Sequence, residues 1–240
     1  MNTLCFDFGN TRLKLAFFQN KKLVEAVVVE NDSVETIDAF IKKYDPQKTI
    51  LSSVINHNPE IENLLASKTK FHKLSHLSKL PFTTPVGKPE TIGADRLALA
   101  AATVYFFPKQ HNLVIGMGSC ITYNFINADH EFLGGGISPG MEMRMKSLNQ
   151  FTAKLPIVKP DGNVPLIGYD TITNILSGVV IGMANEMDGF INEYKQRFSN
   201  FNVHLTGGDL VYLAPHLKNQ IFADPELIFK GLYAICESNS

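Results

Sequence analysis

Short apolar runs separated by polar turns make up the N-terminal part of the chain. Residues 3–8 are mostly apolar, Gly9 and Asn10 interrupt them, and further apolar runs follow at 13–18 and 23–29. Short apolar runs bounded by glycine and polar residues are typical of buried β-strands joined by turns. The pattern therefore predicts a β-hairpin followed by a third strand.

Helical and strand patterns alternate after this hairpin. Residues 34–44 carry apolar side chains at helical spacing, and Ser33 precedes them as an N-cap residue. Strands are predicted at 49–54 and 70–74, with a short helix at 59–67 between them. The order β-β-β-α-β-α-β indicates a mixed sheet covered by helices.

The opening pattern recurs in the second half of the chain. Residues 113–126 again form strand, glycine turn and strand, and residues 132–137 take the place of the third strand. The two copies are spaced by about 110 residues, which favours duplication over a chance likeness between two glycine-broken hairpins. We therefore predict two domains, 1–110 and 111–240.

Periodicity predicts the remaining elements in the same way. The helices are expected at 97–105, 141–148, 172–189 and 225–237, and a strand at 202–206 runs into Gly207 and Gly208. The glycine-rich stretch 134–140 allows close backbone approach to a ligand or only a tight chain crossing. The Gly207–Gly208 turn allows backbone approach to a base or ribose, or is only a left-handed turn. The methionines of residues 141–148 are expected in the core or at an interface.

Composition narrows the class of protein. Apolar residues at 45% and charged residues at 19% are typical of a soluble globular protein, and no apolar run approaches the ~20 residues that cross a bilayer. A net charge of −1 gives no general attraction to nucleic acid or to an acidic membrane. Cys5, Cys120 and Cys236 are far apart in the sequence, which predicts free thiols and therefore a reducing cytoplasm. We also expect no signal peptide.

The tip of the first hairpin carries groups that suit a nucleotide. Backbone N–H groups at a glycine turn donate to phosphate oxygens, and Asn10, Thr11 and Lys14 add donors and a positive charge. Asp7 is suited to hold Mg²⁺ through water. An ordinary hairpin with a polar tip explains the same residues, because the motif is short.

The segment Gly93–Arg96 opens an alanine-rich helix. An aspartate in the first turn complements the helix dipole, which is the simpler explanation of Asp95 from the residues alone. The functional alternative is a carboxylate held at the edge of a cleft. Arg96 either binds an anionic substrate or pairs with a neighbouring acid.

Taken together and in order, these motifs resemble those of the type III pantothenate kinase family. The resemblance covers nearly the whole chain and includes the ending 224–232. Single motifs are weak, but the ordered set is specific. Its members are Asp7–Lys14, Gly93–Arg96, Gly116–Thr122, Gly134–Gly140, Thr171 and Thr206–Asp209.

The resemblance implies an α/β fold of the acetate kinase, sugar kinase, Hsp70 and actin superfamily. Such proteins have two ribonuclease-H-like domains with a nucleotide cleft between them. The implied activity is ATP-dependent phosphorylation of pantothenate to 4′-phosphopantothenate, the first step of coenzyme A biosynthesis. The family also implies a homodimer that uses Mg²⁺ and a monovalent cation, K⁺ or NH₄⁺.

The resemblance also implies roles for individual residues. Asp7 would position Mg²⁺ through water, Asp95 would accept the proton of the attacking hydroxyl, and Arg96 would hold pantothenate. The implied ATP site consists of Asp7, Phe8, Gly9, Asn10, Thr11, Arg12, Leu13, Lys14, Ser119, Gly207 and Gly208. The implied pantothenate site consists of Gly93, Ala94, Asp95, Arg96 and Thr171.

Two positions depart from the family pattern. Gly116 stands where the family has the aspartate that holds the monovalent cation, which puts that site in question. Val86 stands where a tyrosine often contacts pantothenate. Two alternatives therefore remain: a non-catalytic homologue with a regulatory role, and a kinase of the same superfamily that acts on another small acceptor.

Overall fold

A computed structural model describes residues 1–160 and 162–239, and the chain divides into two compact units. The first unit consists of Met1–Lys109, Ile126–Leu133 and Glu226–Ser240, and the second of Gln110–Phe125 and Gly134–Pro225. By its contacts, the C-terminal helix is thus part of the first unit. The predicted domain limits, 1–110 and 111–240, stay a prediction.

The strands and helices of the described residues follow in chain order. The strands are β1 (Asn2–Phe8), β2 (Leu13–Gln19), β3 (Lys22–Val29), β4 (Lys48–Ser53), β5 (Lys70–Lys73), β6 (His111–Met117), β7 (Cys120–Ile126), β8 (Phe132–Gly134), β9 (Ile137–Pro139), β10 (Phe201–Gly207) and β11 (Phe222–Ala223). The helices are α1 (Val34–Tyr44), α2 (Glu60–Lys68), α3 (Ala94–Phe106), α4 (Met141–Gln150), α5 (Thr171–Leu176), α6 (Gly182–Arg197), α7 (Leu210–Leu213) and α8 (Leu227–Asn239).

The two sheets share one topology. The first has the order β3-β2-β1-β4-β5, and the second has β8-β7-β6-β10-β11, so the first strand of each hairpin is central in both. β1 is antiparallel to β2 and parallel to β4, and β6 is likewise parallel to β10. The predicted β-β-β-α-β-α-β order and the internal repeat are both confirmed.

The two faces of the first sheet pack against different helices. On one face, Phe6, Phe8 and Leu15 are buried with the apolar side chains of α1 and α2. Ser33 caps α1 as predicted, because its hydroxyl accepts a hydrogen bond from the Thr36 N–H at 3.2 Å. On the opposite face, Phe18 stacks on Tyr233 of α8 at 4.5 Å between ring centroids.

Helices α3 and α8 approach each other closely. A Cβ atom on Gly231 would lie 1.8 Å from the carbonyl oxygen of Ala98, so only glycine fits at this crossing. The close approach fixes α3, and with it the segment that begins at Gly93, against the sheet.

Two predictions for the second half of the chain need adjustment. The strand expected at 132–137 is divided into β8 and β9, because Gly134 and Gly135 have φ values of 94° and 149° that suit glycine. The helix expected at 172–189 continues to Arg197 and contains a π-helical segment at Ser177–Ile181. The predicted Met-rich helix is confirmed, and Met141 and Met145 are buried in the core.

Two expectations about chemistry can also be compared with the structure. All three cysteines are free thiols, as predicted, and Cys5 and Cys236 are buried. Within residues 1–160 and 162–239, no helix combines the length and the apolar character needed to span a bilayer.

Candidate functional site

The first hairpin closes at the carboxyl end of β1. The Gly9 N–H donates to the Arg12 carbonyl oxygen at 3.1 Å, and Asp7 lies opposite Lys14 in the β1–β2 register. Asn10 and Thr11 are exposed at the tip. The hairpin therefore combines an exposed polar turn with one carboxylate and one amine on its strands.

Asp7 has an unusual environment for a carboxylate. Burial raises its pKa from 3.8 to about 6, Lys14 acts in the opposite direction, and Asp95 raises it further. An ionised Asp7 is thus poorly solvated and lies close enough to Asp95 to be repelled by it. A bound cation would relieve both effects, which fits the predicted magnesium contact.

Asp95 lies in the first turn of α3 and is half-buried. A Cβ atom on Gly93 would lie 2.5 Å from Asp95 Oδ1, so the carboxylate folds back over the start of its own helix. The structure therefore brings Asp95 near Asp7, which is far from it in the sequence.

Arg96 points to a different neighbour. Its guanidinium carbon lies 5.5 Å from the centroid of the Phe132 ring, a cation–π contact. The loop that carries Val86 is attached to the same strand, because the Thr84 hydroxyl donates to the Phe132 carbonyl oxygen at 2.9 Å. Val86 and Arg96 are thus both linked to the start of β8.

Three glycine segments of the second unit meet at the ends of β6 and β10. The Gly140 N–H donates to the Ser119 carbonyl oxygen at 3.0 Å, and a Cβ atom on Gly140 would lie 2.2 Å from the Gly118 carbonyl oxygen. Gly207 has φ +117°, and its Cβ would lie 1.9 Å from the Met117 carbonyl oxygen. Ser119 and Gly207 are therefore held at the carboxyl ends of β6 and β10, where ligands of open α/β sheets commonly bind.

The next glycine has a different setting. A Cβ atom on Gly208 would meet nothing within 4 Å, so this residue borders open space rather than a chain crossing. Close packing explains Gly207, but it does not explain Gly208. Room for a ligand therefore remains the functional explanation of Gly208.

Gly116 is buried within β6, opposite Thr206 in the parallel register with β10. It has no side-chain oxygen to offer to a cation. Among residues 1–160 and 162–239, no three or more His, Cys, Asp or Glu side chains form a group that could hold a metal ion.

Thr171 is the first residue of α5 and lines a cavity of about 620 Å³. Asp170 fixes this end of the helix through a capping box with Thr173. The cavity is also lined by Arg144, Leu148, Asn174 and Val179. Thr171 belongs to the second unit, whereas the other predicted pantothenate residues belong to the first.

Sequence reasoning missed the ion pair that supports this cavity. Arg144 of α4 pairs with Glu186 of α6 and also donates to the Ser138 hydroxyl at 2.9 Å. The Tyr123 hydroxyl donates to the same glutamate at 3.1 Å. These residues are far apart in the chain, and no local motif marks them.

Comparison with solved structures agrees with the fold. A Campylobacter jejuni protein described as a Baf family transcriptional activator has a TM-score of 0.61 and 24% identity, with 98% of each chain covered. An Arthrobacter inorganic polyphosphate/ATP-glucomannokinase has a TM-score of 0.51 at 14% identity, with 99% and 97% covered. The two mixed sheets and these neighbours define the fold as α/β, of the kind seen in this kinase.

Comparison of sequences defines the family. The family model for type III pantothenate kinase matches residues 3–193. A type III pantothenate kinase of Christiangramia forsetii is 42% identical over 98% of each sequence, and one of Phocaeicola vulgatus is 41% identical over the same shares. The chain belongs to the type III pantothenate kinase family.

Proposed function

We propose that this chain transfers the γ-phosphoryl group of ATP to the primary hydroxyl of pantothenate. The products are ADP and 4′-phosphopantothenate, in the first step of coenzyme A biosynthesis. Full-length similarity to type III pantothenate kinases supports the proposal. The structural observation that carries it is the position of Asp7, which lies opposite Lys14 in the hairpin and close enough to Asp95 for that carboxylate to raise its pKa.

The hairpin is proposed to hold the phosphates of ATP. Its backbone N–H groups, the exposed Asn10 and Thr11, and the Lys14 amine would donate to phosphate oxygens. The remaining proposed residues of this turn are Phe8, Gly9, Arg12 and Leu13. In the second unit, Ser119 would donate to a phosphate, while Gly207 and Gly208 would allow the nucleoside to approach the backbone.

Asp7 is proposed to hold Mg²⁺ through water. Its poorly solvated carboxylate fits this ion, which usually keeps several waters and binds through one or two carboxylates and the substrate phosphates. Bound Mg²⁺ neutralises charge that develops on the phosphates during transfer. Gly116 does not fit a carboxylate site for K⁺ or NH₄⁺, so we assign no step to a monovalent cation.

Asp95 is proposed to act as the general base. It would accept the proton of the pantothenate hydroxyl while that oxygen bonds to the γ-phosphorus and the bond to the ADP oxygen breaks. Arg96 would bind the carboxylate or amide oxygens of pantothenate. Gly93, Ala94 and Thr171 complete the proposed acceptor site.

A homodimer is proposed from the surface around Thr171. Large apolar side chains are exposed in the segment that precedes Thr171, with Ile167 at 83% and Leu166 at 74%. Contiguous exposed apolar side chains are typical of an interface. We place the enzyme in the cytoplasm and propose neither nucleic acid nor membrane as a partner, in keeping with a net charge of −1.

Two departures favour the alternatives. Gly116 favours a non-catalytic homologue with a regulatory role, because it removes a carboxylate from the second hairpin. Val86 favours a kinase for another small acceptor. Measured turnover separates the first alternative from the proposal, and a panel of acceptors separates the second.

The Asp95→Asn variant tests the proposed base. We expect a loss of about 10²–10⁴-fold in turnover of ATP with pantothenate, since a general base contributes that much. Glu35→Gln is the matched control, because Glu35 is also an acid in the first turn of a helix. If Asp95 only complements the helix dipole, both variants will change stability slightly and keep full turnover.

A further inference from the structure

Ser52 has an unusual environment in the first unit. Its Oγ is buried and has no hydrogen-bond partner, and it is the single side-chain nitrogen or oxygen atom of this kind within residues 1–160 and 162–239. The residue is fully buried, at 0% exposure. Buried polar groups are nearly always hydrogen-bonded, and an exception in a folded protein calls for a physical explanation.

The sheet register places Ser52 beside Asp7. These residues are partners in the parallel pairing of β1 with β4, so their Cα atoms belong to strands about 4.8 Å apart. Paired residues of neighbouring strands point to the same face of a sheet. The Ser52 hydroxyl therefore lies on the face that carries the Asp7 carboxylate.

That face is the one that α3 and α8 cover. Leu51 and Phe6, which precede this pair in their strands, are buried in the core on the opposite face with α1 and α2. The start of α3 carries Asp95, which raises the pKa of Asp7. Ser52 is thus placed on the side of the sheet where the proposed reaction occurs.

The neighbouring serine shows that the fold can satisfy a hydroxyl at this strand end. Ser53 points to the other face, where its Oγ donates to the Ile55 carbonyl oxygen at 3.0 Å and lies 2.9 Å from His57 Nδ1. Glu62 in turn holds the other nitrogen of His57 at 2.9 Å. Ser53 therefore has a structural role that Ser52 lacks.

We propose that Ser52 is a positioning residue of this phosphoryl-transfer site, and that its hydroxyl donates to the Asp7 carboxylate when that carboxylate holds a magnesium-bound water of the nucleotide. The inference rests on the proposed function, since it assumes that Asp7 faces the metal–nucleotide complex. It assigns to Ser52 the hydrogen bond that the buried hydroxyl otherwise lacks. The hydroxyl donates in the direction to which it rotates, so it suits a neighbouring carboxylate whose orientation the ion sets.

Ser52→Ala tests the proposal without relying on turnover. The binding of a non-hydrolysable ATP analogue is measured by calorimetry, with Mg²⁺ and with EDTA, and urea unfolding is measured without nucleotide. We expect a roughly two- to tenfold loss of affinity with Mg²⁺, the effect of one hydrogen bond, and unchanged affinity with EDTA. We expect the urea midpoint to stay or rise, because the alanine removes an unpaired polar group.

Ser53→Ala is the matched control, and we expect it to lower the urea midpoint while leaving the Mg²⁺ dependence of binding unchanged. Three results for Ser52→Ala would overturn the inference. They are wild-type affinity with Mg²⁺, an equal loss with and without Mg²⁺, and a urea midpoint lowered as in Ser53→Ala. Wild-type protein that binds no nucleotide at all would instead refute the proposed function, and the inference with it.

Discussion

Replacing Asp7 with asparagine should stabilise the protein without nucleotide at neutral pH and abolish its Mg²⁺-dependent nucleotide binding. Burial and, to a lesser extent, Asp95 raise the pKa of Asp7 to about 6, against the opposing effect of Lys14. An acid with a higher pKa in the folded than in the unfolded state destabilises the fold when it is ionised. Asparagine has nearly the same shape and no charge, so it avoids this cost.

The size of the effect follows from the two pKa values of Asp7. Each tenfold change in proton affinity corresponds to about 1.4 kcal/mol, so a pKa of about 6 instead of 3.8 costs at most about 3 kcal/mol above pH 7. The cost falls as the pH drops below 6 and nearly disappears at pH 4, where the folded protein keeps Asp7 protonated. For a chain of this size, each kcal/mol shifts Tm by roughly 2–4 °C.

The assay is thermal and urea unfolding of wild type and Asp7→Asn across this pH range. We expect the variant to melt several degrees higher at pH 7.5 and to match the wild type near pH 4. Asp129→Asn, at an exposed turn position, is the control and should change neither. A variant that is less stable at pH 7.5, or a gain that does not depend on pH, would refute the reasoning.

Three further predictions concern stability and assembly. Burial lowers the pKa of His204 to about 4, so the folded state resists protonation of this side chain. The free energy of unfolding should therefore fall as the pH drops from 6.5 towards 4, by at most about 3 kcal/mol. The urea midpoint of His204→Gln should show a weaker pH dependence than that of the wild type. Gly231→Ala should destabilise by about 1–3 kcal/mol or more in urea, because its Cβ would meet the Ala98 carbonyl oxygen, whereas Gly178→Ala, with open space around its Cβ, should not. Ile167→Asp should shift the protein from dimer to monomer in light scattering, and an unchanged mass would exclude this surface as the interface.

The elements of the fold could largely be predicted because their signals are local. Alternating apolar residues and a glycine turn define β1 and β2, and Ser33 marks the start of α1. The repeat was visible because both halves begin with the same hairpin pattern. The division of the third strand into β8 and β9 was missed, since an apolar run does not reveal the φ value of Gly135.

The contacts of the site depend on pairings that the sequence does not display. Nothing local places Ser52 beside Asp7, because the parallel register of β1 and β4 brings them together. The pair of Arg144 with Glu186 joins residues 42 positions apart. The motif residues could be named from the sequence, but their environments, such as the burial of Asp7, required the three-dimensional fold.

Phosphorylation of pantothenate by ATP and Mg²⁺ is the measurement that tests the central claim most directly. It should be run with and without K⁺ or NH₄⁺, with product identified by mass. We predict that 4′-phosphopantothenate and ADP form in equal amounts. Turnover without the monovalent cation would show that this chain, which has Gly116, does not require that cation. Nucleotide binding without any phosphorylated product under either condition would contradict the account and favour a non-catalytic role or a different acceptor.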